Sequence, residues 1–290
     1  GLFHRAVAES GAALRIGRAE QATASAKGLM DKLNLTPADV AKLQALPAQE
    51  LVKAVGPGGM AFGPIVDARS IPDDPFGPVP TEISADVPLM TGSNLTESTF
   101  FLDTPLEPMD EAELLGRVKT YCRTDDPTAA RLVALYREEH PSRDNVFLYQ
   151  LISSEFWMRS DVLEQASRKA SQARAPVYVY QFNRLSPARG GKLHCPHGSE
   201  IPYVFDNIAS AREVCGNAPA AQVLADKMST AWVAFARHGD PNQGGSALPY
   251  WAPYSPGSRA VMSFDDECRL ELDPDGRCRV AIAEVKARRA

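Results

Sequence analysis

Two short apolar runs, "VPLM" at residues 87–90 and "VYVYQF" at residues 177–182, are separated by a long stretch that reads as helix. The helical patterning extends from Asp110 to Ala173 and includes "PTAARLVALYREEH" and "VFLYQLISSEFWMRSDVLEQASRKA". Strands that alternate with helices of that length point to an α/β domain with parallel strands. A further strand is expected over Phe3–Glu9, in "LFHRAVAES" before Gly11. About three strands are visible, few for a chain of 290 residues. The sheet read this way looks incomplete.

Between these strands the punctuation is clear. "EQATASAKGLMDKLNL" has helical spacing, Thr36 before Pro37 marks a helix start, and "QELVKAV" closes at Gly56. Residues 56–88 are dense in Pro and Gly and read as a long ordered loop. "LADKMSTAWVAFARHGDPN" is an amphipathic helix ended by Gly239 and Pro241. The tail "ELDPDGRCRVAIAEVKARR" reads either as a hairpin turning at "DPDG" or as a helix capped by Asp273 with Pro274 first. Cys278, Ile282 and Val285 share one helical face, which favours the helix.

Composition excludes several classes. A net charge of -5, with Lys and Arg scattered, is not the footprint of a nucleic-acid binder. No apolar run is long enough to span a bilayer. Five cysteines lack any Cys-x-x-Cys spacing, so neither a zinc module nor a redox motif is indicated, and scattered buried thiols are expected.

Two segments carry the chemistry. Glu97 lies in "TGSNLTESTFFL", directly after "VPLM", and His197 lies in "HGSEIPYVF", beyond the "VYVYQFNR" strand. Loops at the carboxyl ends of parallel strands are where α/β folds present reactive side chains. Asp67, Glu200 and Asp206 are alternative acids. His194, Cys195 and His197 invite a metal reading that lacks further ligands, and Cys195 as a nucleophile competes with a buried inert thiol.

The same segments resemble the type B carboxylesterases, the α/β-hydrolase group of the bacterial para-nitrobenzyl esterases and the cholinesterases. The match runs in order through "GLFHRAVAESG", "FGPIVDARSIPDDP", "DVPLMTGSNLTESTFF", "HGSEIPYVF", "AWVAFARHGDPN" and "LPYWAPYSP". It implies that residues 1–290 are the C-terminal portion of a single α/β-hydrolase domain, a mostly parallel sheet flanked by helices, without the N-terminal strands and nucleophile elbow. It also implies hydrolysis of a small-molecule carboxylic ester through a serine acyl-enzyme, with Glu97 as triad carboxylate, His197 as base and no metal or organic cofactor. Ser98 stands where the family commonly has Gly after the acid. Phe100, Phe101, Phe156 and Trp157 are candidates for a pocket wall, with core packing as the simpler role.

The nucleophile is what the sequence lacks. No serine has Gly both two residues before and two after, so the G-x-S-x-G elbow is absent, as is a Gly-rich oxyanion loop. Ser10 in "AESGAA" has Ala8 in the first position and reads as structural; Ser199 has His197 there. Two explanations follow: a fragment of an esterase whose serine lies upstream, or a non-catalytic relative acting as an interaction module. Retention of both Glu97 and His197 favours the first. The Phe3–Glu9 strand would then have an open edge prone to association.

Overall fold

The alternating Val and Tyr of residues 177–180 sort to opposite faces of a strand, and the sheet is built around that split. In the computed structural model, which describes residues 2–56, 62–100 and 104–288, the strand is Val177–Phe182 and every residue in it is buried. Val177 and Val179 pack with Leu163 and Ala166 of the helix Ser160–Ser171, and with Tyr254 and Val261. Tyr178, Tyr180 and Phe182 face the other way, toward Met228, Trp232 and Phe235 of the helix Pro219–His238, with Trp251 and Phe264. The rings meet edge-on or tilted, as their quadrupoles favour; the Tyr180 and Trp232 centroids are 5.1 Å apart.

The chain forms two compact units, residues 1–12 with 83–290, and residues 13–82. In the first, five strands lie in the order Ala6–Glu9, Leu89–Asn94, Val177–Phe182, Ala260–Phe264, Arg269–Leu272. The first four are parallel and the last is antiparallel. The helices Glu111–Cys122, Asp126–Glu139, Asn145–Ser154 and Gly276–Ala287 form a separate apolar cluster that includes Leu114, Leu132, Phe147 and Ile282. Three of these helices begin with an Asp that caps them: Asp110, Asp125 and Asp144 each accept a hydrogen bond from the backbone N–H three residues on. This is the mostly parallel, helix-flanked sheet expected from the alternation of strands and helices.

The second unit carries the helix Ala19–Lys32, the short helices Val40–Ala45 and Ala48–Val55, and a two-residue ladder between Gly17–Arg18 and Ile65–Val66. Thr36 does mark a start: its N–H and hydroxyl both donate to Asp39 Oδ2, at 3.0 and 2.6 Å. Residues 56–88 are more structured than a loop, since they supply the strand Ile65–Val66 and a tight helical turn at Glu82–Ser84. Part of that stretch, 57–61, lies outside the described residues.

Sequence and structure differ in three further places. "TGSN" reads as a polar loop, yet the strand continues through it to Asn94: Thr91, Ser93 and Asn94 are all buried, with Thr91 Oγ1 donating to Gln165 Oε1 at 3.1 Å and Asn94 Nδ2 to Pro196 C=O at 2.8 Å. The strands "AVMSF" and "RLEL" were not anticipated; they form a hairpin that turns at 265–268 rather than at "DPDG". The tail is a helix with Cys278, Ile282 and Val285 buried, but it starts at Gly276. Asp273 does not cap it and instead holds Arg279 through both carboxylate oxygens, at 2.8 and 2.9 Å.

Gly92 sits between the two central strands, opposite Tyr180. A Cβ there would lie 2.3–2.4 Å from the Tyr180 ring, which is fully buried and has no room to retreat. We expect Gly92→Ala to lower the unfolding free energy by about 3 kcal/mol through overpacking, measured by urea denaturation. A second expectation concerns the edge. The Ala6–Glu9 strand ends the sheet, and Leu2 and Phe3 beside it are 99% and 60% exposed. The 290-residue chain should self-associate in sedimentation velocity, and a monodisperse 31.4 kDa monomer with cooperative melting would contradict this.

Candidate active site

The site forms where two loops are laced together at the carboxyl ends of neighbouring strands. Leu95 N–H donates to Phe182 C=O at 2.9 Å, which carries the ladder one residue past the end of the Leu89–Asn94 strand. Thr96 N–H then donates to Cys195 C=O at 3.0 Å, and Cys195 N–H returns to Thr96 Oγ1 at 2.8 Å. Thr99 Oγ1 donates to Leu193 C=O at 2.9 Å. With residues 96 and 195 fixed to each other, Glu97, one residue on, and His197, two residues on, meet.

His197 Nδ1 and Glu97 Oε2 are 2.6 Å apart. The Glu97 side chain is fully buried and that of His197 is 34% exposed. The other carboxylate oxygen, Oε1, accepts from Asn94 N–H at 2.6 Å and from the Ser10 hydroxyl. A buried carboxylate requires such donors, because desolvation without them costs several kcal/mol. The arrangement places the Nδ1 proton toward the acid. The hydrogen bond to Glu97 holds the His197 imidazole above its ordinary pKa of 6.5, against the opposing effect of partial burial.

The loop geometry has local causes. Gly198 takes φ +77°, a left-handed conformation, and so turns the chain directly after the histidine. Ser98, at the position where Gly was the expectation, is not left-handed. It is 4% exposed; its N–H donates to Ser154 Oγ at 3.0 Å and its hydroxyl lies 2.8 Å from Ser153 Oγ. The serine thus ties the acid loop to the helix Asn145–Ser154.

The alternative acids are engaged elsewhere. Asp67 closes its own turn by accepting from the N–H groups of Arg69, Ser70 and Ile71. Asp206 accepts from Gln222 at 2.5 Å. Glu200 accepts from Asn94 Nδ2, and burial pushes its carboxyl up to about 7. Because that value lies above the ordinary 4.5, a protonated Glu200 favours folding below pH 4.5, and this contribution is lost as pH rises through about 7.

The three side chains of the metal reading diverge. His194 Nδ1 lies 2.5 Å from Gln150 Oε1, Cys195 Sγ donates to Phe182 C=O at 3.0 Å, and His197 meets Glu97. Burial also raises the Cys195 thiol far above the range of a nucleophile. All five cysteines are free thiols, four of them buried.

Of the aromatic candidates, Phe156 is core and Trp157 stands partly exposed beside the imidazole, with ring centroids 6.2 Å apart. The side chain of Phe100 and all of Phe101 lie outside the described residues. Ser10 is the residue whose part in the site the sequence reading missed. It follows a strand at the same carboxyl edge, in a left-handed conformation with φ +53°.

A sequence model of the carboxylesterase family matches residues 1–278. The para-nitrobenzyl esterase of Bacillus subtilis (strain 168) is 25% identical over 297 residues, covering 99% of this chain and 58% of that protein. The phenmedipham hydrolase of Pseudarthrobacter oxydans is 26% identical over 286 residues, covering 92% of this chain and 55% of that protein. Among solved structures, a carboxylesterase of Geobacillus stearothermophilus aligns with a TM-score of 0.75 at 29% identity, covering 97% of this chain and 58% of that one. The chain therefore spans somewhat more than half the length of each of these three proteins.

Because the Glu97 hydrogen bond is the chief cause of the raised imidazole pKa, Glu97→Gln should bring it down. The measurement is the His197 Hε1 resonance followed against pH by NMR. The wild-type midpoint should lie above 6.5 and that of the variant below the wild type. The sign for stability follows: the pair favours folding fully below pH 6.5, and its contribution fades as pH rises through the folded-state midpoint. Equal midpoints would contradict this account.

Proposed function

The chain belongs to the carboxylesterase family, and on that premise we propose that it supplies the acid and base of a serine esterase. The observation that carries the reading is the contact between a fully buried Glu97 and a partly exposed His197 at 2.6 Å. In the proposed mechanism a serine hydroxyl, supplied from outside these 290 residues, gives its proton to His197 Nε2 and attacks the ester carbonyl. Glu97 keeps the imidazole in the Nδ1–H tautomer and stabilises the imidazolium as it forms. The imidazolium then protonates the departing alcohol, and water repeats the sequence on the acyl-enzyme.

Ser10 does not suit the role of nucleophile. Its hydroxyl donates to Glu97, on the opposite side of the acid from the imidazole nitrogen that would need it. It serves instead to hold the carboxylate. Glu200, buried nearby with its carboxyl raised to about 7, is held by Asn94 rather than by the imidazole. The substrate class in this reading is a small carboxylic ester, in keeping with the esterase and hydrolase names of the relatives.

The test is made in the full-length protein with a chromogenic ester. We expect His197→Ala to lower kcat by roughly 10⁴-fold or more while the melting temperature changes little. We expect the wild-type rate to rise with pH through a midpoint above 6.5, since the neutral imidazole is the base. Near-normal hydrolysis by His197→Ala would remove the assignment.

A further inference from the structure

We infer that Trp157 is a specificity-determining wall of this site, favouring esters that carry a planar ring beside the scissile carbonyl over esters with a saturated ring of the same size. The inference rests on the reading of His197 as the base. Two of the three tryptophans, Trp232 and Trp251, belong to the buried aromatic core. Trp157 belongs to none of the buried apolar clusters, is partly exposed, and is tilted 43° to the His197 ring. An ester carbonyl served by this imidazole lies within a few ångströms of Nε2. The indole therefore borders the volume that the ester's substituents enter.

The backbone that carries Trp157 is built to hold it there. Residues Glu155–Arg159 form a wide π-helical turn between the helices Asn145–Ser154 and Ser160–Ser171, a device often found at functional sites. The turn is locked by a buried ion pair, Arg159 NH1 to Glu155 Oε2 at 2.7 Å, and Arg159 NH2 also donates to Pro274 C=O at 2.9 Å. Its two aromatic residues part company: Phe156 packs edge-on against Tyr121 in the core, while Trp157 stays beside the imidazole. Immediately before the turn, Ser154 bonds to both the N–H and the hydroxyl of Ser98. The acid loop and the tryptophan turn are thus tied together, so the indole holds a fixed position relative to the catalytic pair.

The chemistry of the wall sets the preference. A saturated six-membered ring has at least as much apolar surface as a phenyl ring, so burial alone favours the saturated ring or neither. An indole face or edge adds an aromatic contact that only the planar ring can make, worth about threefold to tenfold in binding. A matched pair of compounds isolates that contact.

The experiment has two arms. In the first, benzyl alcohol and cyclohexylmethanol are titrated into the full-length protein, and the Trp157 indole and His197 imidazole resonances are followed by NMR. Saturable shifts with benzyl alcohol, at a dissociation constant about threefold to tenfold below that of cyclohexylmethanol and lost in Trp157→Ala, support the wall. Equal responses to the two alcohols, or a His197 shift that persists in Trp157→Ala, overturn it. In the second arm, kcat/KM for benzyl acetate and for cyclohexylmethyl acetate is compared in the full-length protein, in Trp157→Ala and in Trp157→Phe. The benzyl-to-cyclohexylmethyl ratio should fall about threefold to tenfold in the alanine variant and be largely kept in the phenylalanine variant. An equal fall for both esters marks a structural role and overturns the inference. Hydrolysis that survives His197→Ala, with the ratio still dependent on Trp157, would remove the esterase mechanism and leave the wall standing.

Discussion

The carboxylate of Glu97 is the group on which the candidate site depends. It has no solvent exposure, so its charge is tolerable only because Ser10, Asn94 and His197 all donate to it. Each donor comes from a different part of the chain: the end of the first strand, the end of the second, and the loop beyond the third. Satisfying one buried charge therefore fixes three strand ends with respect to one another. The lacing of Thr96 to Cys195 does the same work in the backbone. Orientation of the imidazole is a by-product of keeping a buried acid solvated by protein.

A second carboxyl lies close by, and the structure treats it differently. Asn94 serves both acids, with its backbone N–H on Glu97 and its side-chain amide on Glu200 and on Pro196 C=O. Glu97 collects three donors, whereas the burial of Glu200 outweighs its hydrogen bond from Asn94 and pushes it up to about 7. Two similar side chains a short distance apart are thus set to different tasks by the number of donors each receives.

Much of this was legible in the sequence where the pattern is periodic or punctuated. The Val–Tyr alternation, the helix start at Thr36 and the stop at Gly239 all rest on local chemistry that a linear reading captures; Gly239 takes φ +74° as a helix cap should. Glu97 and His197 were legible as loop residues after strands, and their pairing followed from the family resemblance rather than from spacing. What escaped was decided by tertiary burial. Ser93 and Asn94 look like loop residues but are buried strand, because a central parallel strand has no solvent face. The "AVMSF" and "RLEL" strands are short, and the second is largely exposed, so neither has a strong pattern of its own. Ser10 was read as structural and does support the site, but its partner lies 87 residues away, beyond any local rule.

The wide turn at Glu155–Arg159 has an evolutionary consequence. Such a turn amounts to one residue inserted into an otherwise continuous helix, and deleting that residue would restore ordinary winding. Every side chain on one flank would then rotate by about 100° relative to the other. A lineage could therefore replace whatever group stands beside the imidazole by a single-codon gain or loss, with both helices kept in place and no substitution at the imidazole itself.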